Sequence, residues 1–235
     1  MTSTPEQPQV LPQAHPAAAY YPAPPGTPEP PKNLTAPGVL AFASAAILTA
    51  VICANALVVG RVIELGGRDS GMADWSLGVY YLTSLMTYAA MAAAWASGSM
   101  WLRRARHNAD VLSPGRRHSR RAGWAWGGWI VPVVCFWFPY QVVRDVDAAV
   151  SPRAPAKDLV GWWWAGWLAT AIGWRISESV RSDALDTGAG AFGVQTVAVL
   201  VAVITVVALT LWGMVLQRVT SEQHAVMYGV RALDS

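Results

Sequence analysis

Read for where charge is missing, the chain divides into long apolar stretches separated by short polar ones. No Asp, Glu, Lys or Arg occurs between Lys32 and Arg61, Asp74 and Arg103, Arg121 and Arg144, Asp158 and Arg175, or Asp186 and Arg218. These gaps hold 28, 28, 22, 16 and 31 residues. A helix rises about 1.5 Å per residue, so roughly 20 residues cross a hydrocarbon core of about 30 Å. Four gaps suffice and the fourth is marginal. The pattern predicts an all-α fold: a polytopic membrane bundle of five helices, near 38–60, 77–102, 123–143, 159–175 and 192–216. The number falls to four if the third or fourth segment does not span.

Each segment has its own character. Asn55 is the one strongly polar side chain of the first. Small residues from Ala89 to Ser99 crowd the second, a composition that lets helices approach closely in lipid. Its helical pattern runs on through Leu112, and Ser113-Pro114-Gly115 reads as a turn. The third carries Trp124, Trp126, Trp129 and Trp137 with Pro132 and Pro139. Each proline removes a helix hydrogen bond, so this segment is expected to be kinked and packed inside the bundle. Crossing is the preferred reading, and re-entry without crossing the alternative. In the fourth, Trp162, Trp163, Trp164 and Trp167 gather near one end, as interfacial tryptophans do. The fifth is dominated by Val, Ala and Leu.

Composition supports this division. Hydrophobic residues make up 54% of the chain and charged residues only 13%, about half the charge of a soluble domain. Eleven of the 16 prolines fall within residues 1–37. Proline fixes φ and lacks an N–H, so a disordered tail is expected, with P-x-x-P spacings such as Pro22 to Pro25. It reads either as a docking site for a proline-reading protein partner or as a solvated spacer. Residues 218–235 read as a short polar tail. No basic n-region leads into the first segment, which therefore reads as an uncleaved anchor.

Charge then sets orientation. Seven of the 17 basic residues, Arg103, Arg104, Arg106, Arg116, Arg117, Arg120 and Arg121, lie between the second and third segments. Basic loops stay cytoplasmic, so the arginine loop and N-terminus are expected inside a plasma membrane, and the C-terminus outside for five crossings. Anionic headgroups are the expected contacts of Arg103, Arg106, Arg116, Arg117, Arg120 and Arg121. No nucleic-acid partner is expected, because the run sits directly between apolar segments.

Candidate chemistry is sparse. Gly188, Gly190 and Gly193 fit G-x-G-x-x-G but precede a membrane span instead of following a strand. His15, His107, His118 and His224 are scattered, and Cys53 and Cys135 sit in apolar segments with no zinc or redox spacing. No cofactor or metal site is predicted, and Asn55, Gln141 and Gln195 read as interhelical hydrogen-bonding groups. Asn33-Leu34-Thr35 matches a glycosylation acceptor, set aside as chance. Arg144, Asp145 and Asp147 are placed at the far end of segment three, at the outer interface.

One constellation is distinctive. Residues 101–109 read WLRRARHNA, with Arg104 and Asn108 four apart on one helix face. Ser113-Pro114-Gly115, Trp129, Pro132, Pro139-Tyr140 and Trp162-Trp163 follow. This series resembles the bacterial, largely actinobacterial membrane family called domain of unknown function 4328. That family shows an arginine–asparagine pair after a membrane helix, then a tryptophan and two prolines seven apart. It usually has an asparagine between those prolines, where this chain has Cys135. The resemblance implies a multi-pass protein without an assigned activity. It marks Arg104, Asn108, Trp129, Pro132, Pro139, Trp162 and Trp163 as candidate motif residues. The leading functional reading is a non-enzymatic plasma-membrane protein with a scaffolding or interaction role. The alternative is a small transporter or channel component with the kinked third helix lining its path.

Overall fold

The computed structural model describes residues 29–66, 70–114, 118–131, 133–151, 157–187 and 190–229. The described residues are helical, with no strand among them: α1 (Thr35–Gly66), α2 (Ser70–Leu112), α3 (Trp124–Gly127), a 3-10 turn (Val134–Phe136), α4 (Phe138–Val150), α5 (Lys157–Thr187) and α6 (Ala191–Met227). Four of these are long, at 31 to 43 residues. Each is therefore about 45–65 Å and overruns a bilayer core at one end or both.

The long helices run antiparallel. Ser44 and Ser97 hydroxyls meet at 2.5 Å, and Asn55 Nδ2 donates to Thr87 Oγ1 at 3.2 Å, tying α1 to α2. Phe42 of α1 packs on Gly213 of α6, and Gln195 of α6 donates to the Ala56 carbonyl. On α5, Gly166 faces Ala208 and Gly173 faces Val201, seven residues apart on each helix. Small residues at these contacts let α5 and α6 close on one another. At Gly190, φ is +87°, which glycine adopts without strain and which turns the chain from α5 into α6.

Three apolar clusters mark successive levels. At one end Leu34, Trp101, Leu102, Val143, Val160, Trp163, Val215 and Val219 bring all the long helices together beneath α4. Further along, Ile52, Ala56, Ala198 and Val201 pack. Ile63, Ala184 and Val194 close the far end. The start of α1, the end of α2, the start of α5 and the end of α6 thus share one end.

Several sequence expectations change. The third segment does not form one kinked helix. Its described residues make the four-residue α3, a 3-10 turn and the start of α4. Adjacent Gly127 and Gly128 weaken helix propensity there, Val133 has φ +69°, and Pro139 sits in the first turn of α4, where its missing N–H costs nothing. Pro132 lies outside the described residues. The region 61–77 is helical on both sides of residues 67–69, and α5 continues twelve residues past Arg175. The expected polar tail from 218 is helical to Met227, because the apolar spacing Val215, Leu216, Val219 carries past the charges. The tail expected over 1–37 ends earlier too. Pro37 lies in the first turn of α1, and Asn33 Oδ1 accepts from the Thr35 amide at 2.7 Å, serving as a cap. The remainder of that tail, residues 1–28, lies outside the described residues. Five crossings would put the chain's two ends at opposite ends of the bundle. Here Lys32 and Gln223 lie at the same one.

Candidate functional site

The end where all the helices converge is also where the arginines lie, and its polar groups are paired across elements. Asn108 on α2 has no exposed surface. Its Oδ1 accepts from Lys32 N and its Nδ2 donates to Lys32 O, both at 2.7 Å. That side-chain amide holds the residues before α1 as a neighbouring strand would. Leu34, also fully buried, seats beside Trp101. Gln223, the matching polar group of α6, is fully buried and donates to Ala105 O at 2.8 Å. Outside this clamp the Lys32 ammonium lies 2.9 Å from Glu29. It donates a hydrogen bond and adds a positive field, and both hold that carboxyl below its usual value.

A cap covers this end. α4 is amphipathic, burying Phe138, Pro139, Val142, Val143, Val146 and Val150 against the bundle. The arginine loop folds over it. Ser113 Oγ donates to Ala149 O at 2.7 Å, and the Ser119 amide to Asp145 Oδ2 at 2.7 Å. Arg120 Nε donates to Gln141 Oε1 at 2.8 Å while its guanidinium lies 3.9 Å above the Phe138 ring. Arg106, buried, pairs with Asp110. Asp147, 2% exposed, receives Arg218 Nε at 2.9 Å, joining α4 to α6. Asp145 and Asp147 therefore sit at the arginine end, not at an outer interface: α4 returns the chain to the side from which α2 came.

Tryptophans fill the space under the cap. Trp101 meets Trp212 edge-on at 5.5 Å, Trp212 stacks on Trp163 at 4.9 Å, and Trp164 stacks on Trp167 at 4.9 Å. Trp129 reaches Trp167 at 5.5 Å and Trp126 reaches Trp95 at 5.3 Å. Residues 124–129 thus bridge α2 and α5, which otherwise barely touch. Trp164 Nε1 donates to Phe136 O at 2.9 Å, holding the turn beyond them. Past this wedge the chain presents Ile130, Val133 and Phe136 outward, 64%, 63% and 51% exposed.

Of the residues singled out in the sequence, the structure gathers Asn108, Trp129, Pro139 and Trp163 in or against the buried cluster. Arg103, Arg104 and Arg121 face outward, as does Trp162 at 70% exposure. Arg106 and Arg120 are engaged within the cap, and Arg116 and Arg117 lie outside the described residues. Sequence reasoning missed Gln223, Trp212 and the Asp147–Arg218 pair. The continuing apolar spacing of α6 was the available signal for the first two. Among the described residues no three His, Cys, Asp or Glu side chains converge; many polar groups here bind one another, while Trp129 Nε1, Ser151 Oγ and Gln223 Oε1 are buried without a hydrogen-bond partner.

These features define an all-helical bundle closed at one end by a cationic, tryptophan-filled cap. The chain belongs to the family described as Domain of unknown function (DUF4328), whose model matches residues 67–224 and so takes in α2, the cap, α5 and nearly all of α6. No curated protein and no solved structure matches it.

Proposed function

We propose that the protein is a multi-pass component of a bacterial plasma membrane, crossing it four times through α1, α2, α5 and α6, with a scaffolding or interaction role. One observation carries this reading: the outward faces of the long helices are apolar along their middles. Val39, Leu57, Leu85, Ile172 and Leu200 are 55–72% exposed. Among the described residues two helices carry stretches long and apolar enough to cross, Thr35–Leu57 and Phe192–Met227, and only 28% and 39% of their apolar windows is buried in the bundle. The core helix of a water-soluble protein would be mostly covered, and an apolar girdle this continuous has no place in water. The polar groups are inside instead, at Ser44–Ser97, Asn55–Thr87 and Thr170–Thr205. Lipid supplies no hydrogen bonds, so they find each other.

On this reading residues 124–129 enter the membrane from the arginine end, their short irregular stretch wedged between α2 and α5. The outward arginines Arg103, Arg104 and Arg121 meet anionic headgroups, each worth about 1 kcal/mol near the surface. The cytoplasm is the side assigned to that end. The proline-rich stretch 1–28 is the segment assigned to a protein partner, on its P-x-x-P spacings. A transporter lined by the third segment is the alternative reading; a cavity below the cap is walled by α1, α5 and α6. The test is alkaline carbonate extraction of membranes. The protein should stay in the pellet, and its release into the wash would refute membrane crossing. Reconstituted vesicles should show no protein-dependent ion flux; a reproducible flux would favour the transporter.

A further inference from the structure

One hydroxyl group of the arginine loop takes no part in holding the cap. Ser119 lies between α2 and α3, outside any helix, and is exposed. Arg116 and Arg117 stand three and two residues before it, and Arg120 and Arg121 follow it. The other serines and threonines at this end are spent or shielded. Ser113 Oγ donates to Ala149 O at 2.7 Å, and Ser221 Oγ to Arg218 O at 2.9 Å within α6. Thr220 Oγ1 receives Trp101 Nε1 at 3.4 Å, Thr35 opens α1, and Ser151 is buried. Among the described residues of this end, Ser119 alone joins an exposed hydroxyl, a non-helical backbone and a pair of preceding arginines. An enzyme with an acidic substrate groove selects a hydroxyl by such a charge pattern.

We infer that Ser119 is a phosphorylation site, modified by a cytoplasmic serine/threonine kinase whose substrate groove is acidic. The cytoplasmic placement rests on the membrane reading above. Ser119 Oγ attacks the γ-phosphorus of magnesium-bound ATP. The Oγ–P bond forms as the bond to the β,γ-bridging oxygen breaks, ADP leaves, and the hydroxyl proton passes to the kinase's catalytic carboxylate. The effect on the cap follows from one contact. Asp145 Oδ2 accepts from the Ser119 amide at 2.7 Å, so the new phosphate, with a charge of about −1.5 to −2 at pH 7, sits on the residue that this carboxylate holds. Like charges so placed repel, and the loop loses that tie to α4. The four flanking arginines are also about half neutralised. Phosphorylation releases basic clusters from acidic headgroups in the same way.

The experiment uses the full chain in lipid nanodiscs, where both faces are open to reagents and orientation does not matter. The probe is ATP with the catalytic subunit of cyclic-AMP-dependent protein kinase, and fragmentation mass spectrometry places the phosphate. The wild type should gain one phosphate, at Ser119. Ser119→Ala should gain none while keeping the hydrogen-exchange protection of α4, which shows that it folds. Arg116→Gln with Arg117→Gln should slow the reaction roughly tenfold or more, about 1.4 kcal/mol. In the phosphorylated chain, amides of residues 118–123 should exchange about tenfold faster, with the α5–α6 contact unchanged. In Asp145→Asn, whose amide oxygen accepts from the Ser119 N–H without a charge, phosphorylation should leave that exchange unchanged. Protein purified from its own membranes with phosphatase inhibitors should carry phosphate at Ser119. Phosphate at Ser113 or Ser221 in its place, or none at Ser119 in the native protein, would overturn the site. Equal exchange before and after phosphorylation would overturn the coupling to Asp145. If the chain leaves the membrane on carbonate washing yet carries phosphate at Ser119, the membrane reading fails and the site stands.

Discussion

Asn108→Ala is the sharpest perturbation of the capped end. The side chain is fully buried and makes two 2.7 Å hydrogen bonds to the backbone of Lys32. Its removal strips one N–H and one C=O of their partners, each loss costing about 1–3 kcal/mol when the group stays buried. Lys32 is half-buried, so water recovers part of that. We expect about 2 kcal/mol for local release of residues 29–34, or roughly thirtyfold in the opening equilibrium. Amide hydrogen exchange read by mass spectrometry on protein in lipid nanodiscs measures this directly. The Lys32 amide and its neighbours should exchange about thirtyfold faster, while the α5–α6 contact keeps its protection. Asn108→Asp should do no better than alanine. A carboxylate still accepts from Lys32 N but faces Lys32 O with no proton to donate. Unchanged exchange at residues 29–34 in both variants would refute the clamp.

Two further outcomes test the packing. Asp147→Asn should lower the thermal midpoint seen by tryptophan fluorescence in micelles, by the equivalent of about 1–2 kcal/mol, since Arg218, 29% exposed, loses its charged partner but keeps some water; Asp147→Leu with Arg218→Met should lose less. Gly166→Ala should cost about 1–3 kcal/mol in the same assay, because the new Cβ would lie 3.2 Å from Ala208 Cβ and 3.4 Å from its Cα. Gly193→Ala, which meets nothing within 4 Å, is the clash-free control and should leave the midpoint unchanged or raise it by up to about 1 kcal/mol of helix propensity.

The gaps in charge made α1, α2 and α6 legible, because a long uncharged stretch leaves a plain mark on composition. Their ends were not legible. Charge-free windows stop where polar residues begin, whereas the helices run on: α5 through Arg175, Glu178 and Arg181, and α6 through Arg218 to Met227. Hydropathy misled most at residues 123–143. Four tryptophans raise that stretch's apolar character, yet Trp126 and Trp129 are spent on wedging between α2 and α5, Trp124 packs on Phe138, and Gly127, Gly128 and Pro139 stop one helix from forming. Asn108 was marked by the family motif, but the motif did not show that its partner is the Lys32 backbone. Asp147 and Arg218 lie 71 residues apart, a pairing that no local spacing reveals.

The central claim is four crossings with both chain ends on one side. The direct measurement is cysteine accessibility in intact cells, with Cys53 and Cys135 replaced and single substitutions Ser119→Cys, Ser221→Cys and Thr187→Cys. All three positions are exposed, the first two at the arginine end and the third at the far end of α5. With a membrane-impermeant thiol reagent, Thr187→Cys should label at once, while Ser119→Cys and Ser221→Cys should label only after the membrane is opened. Labelling of Ser221→Cys in intact cells with Ser119→Cys still protected would put the two ends on opposite sides and contradict the account.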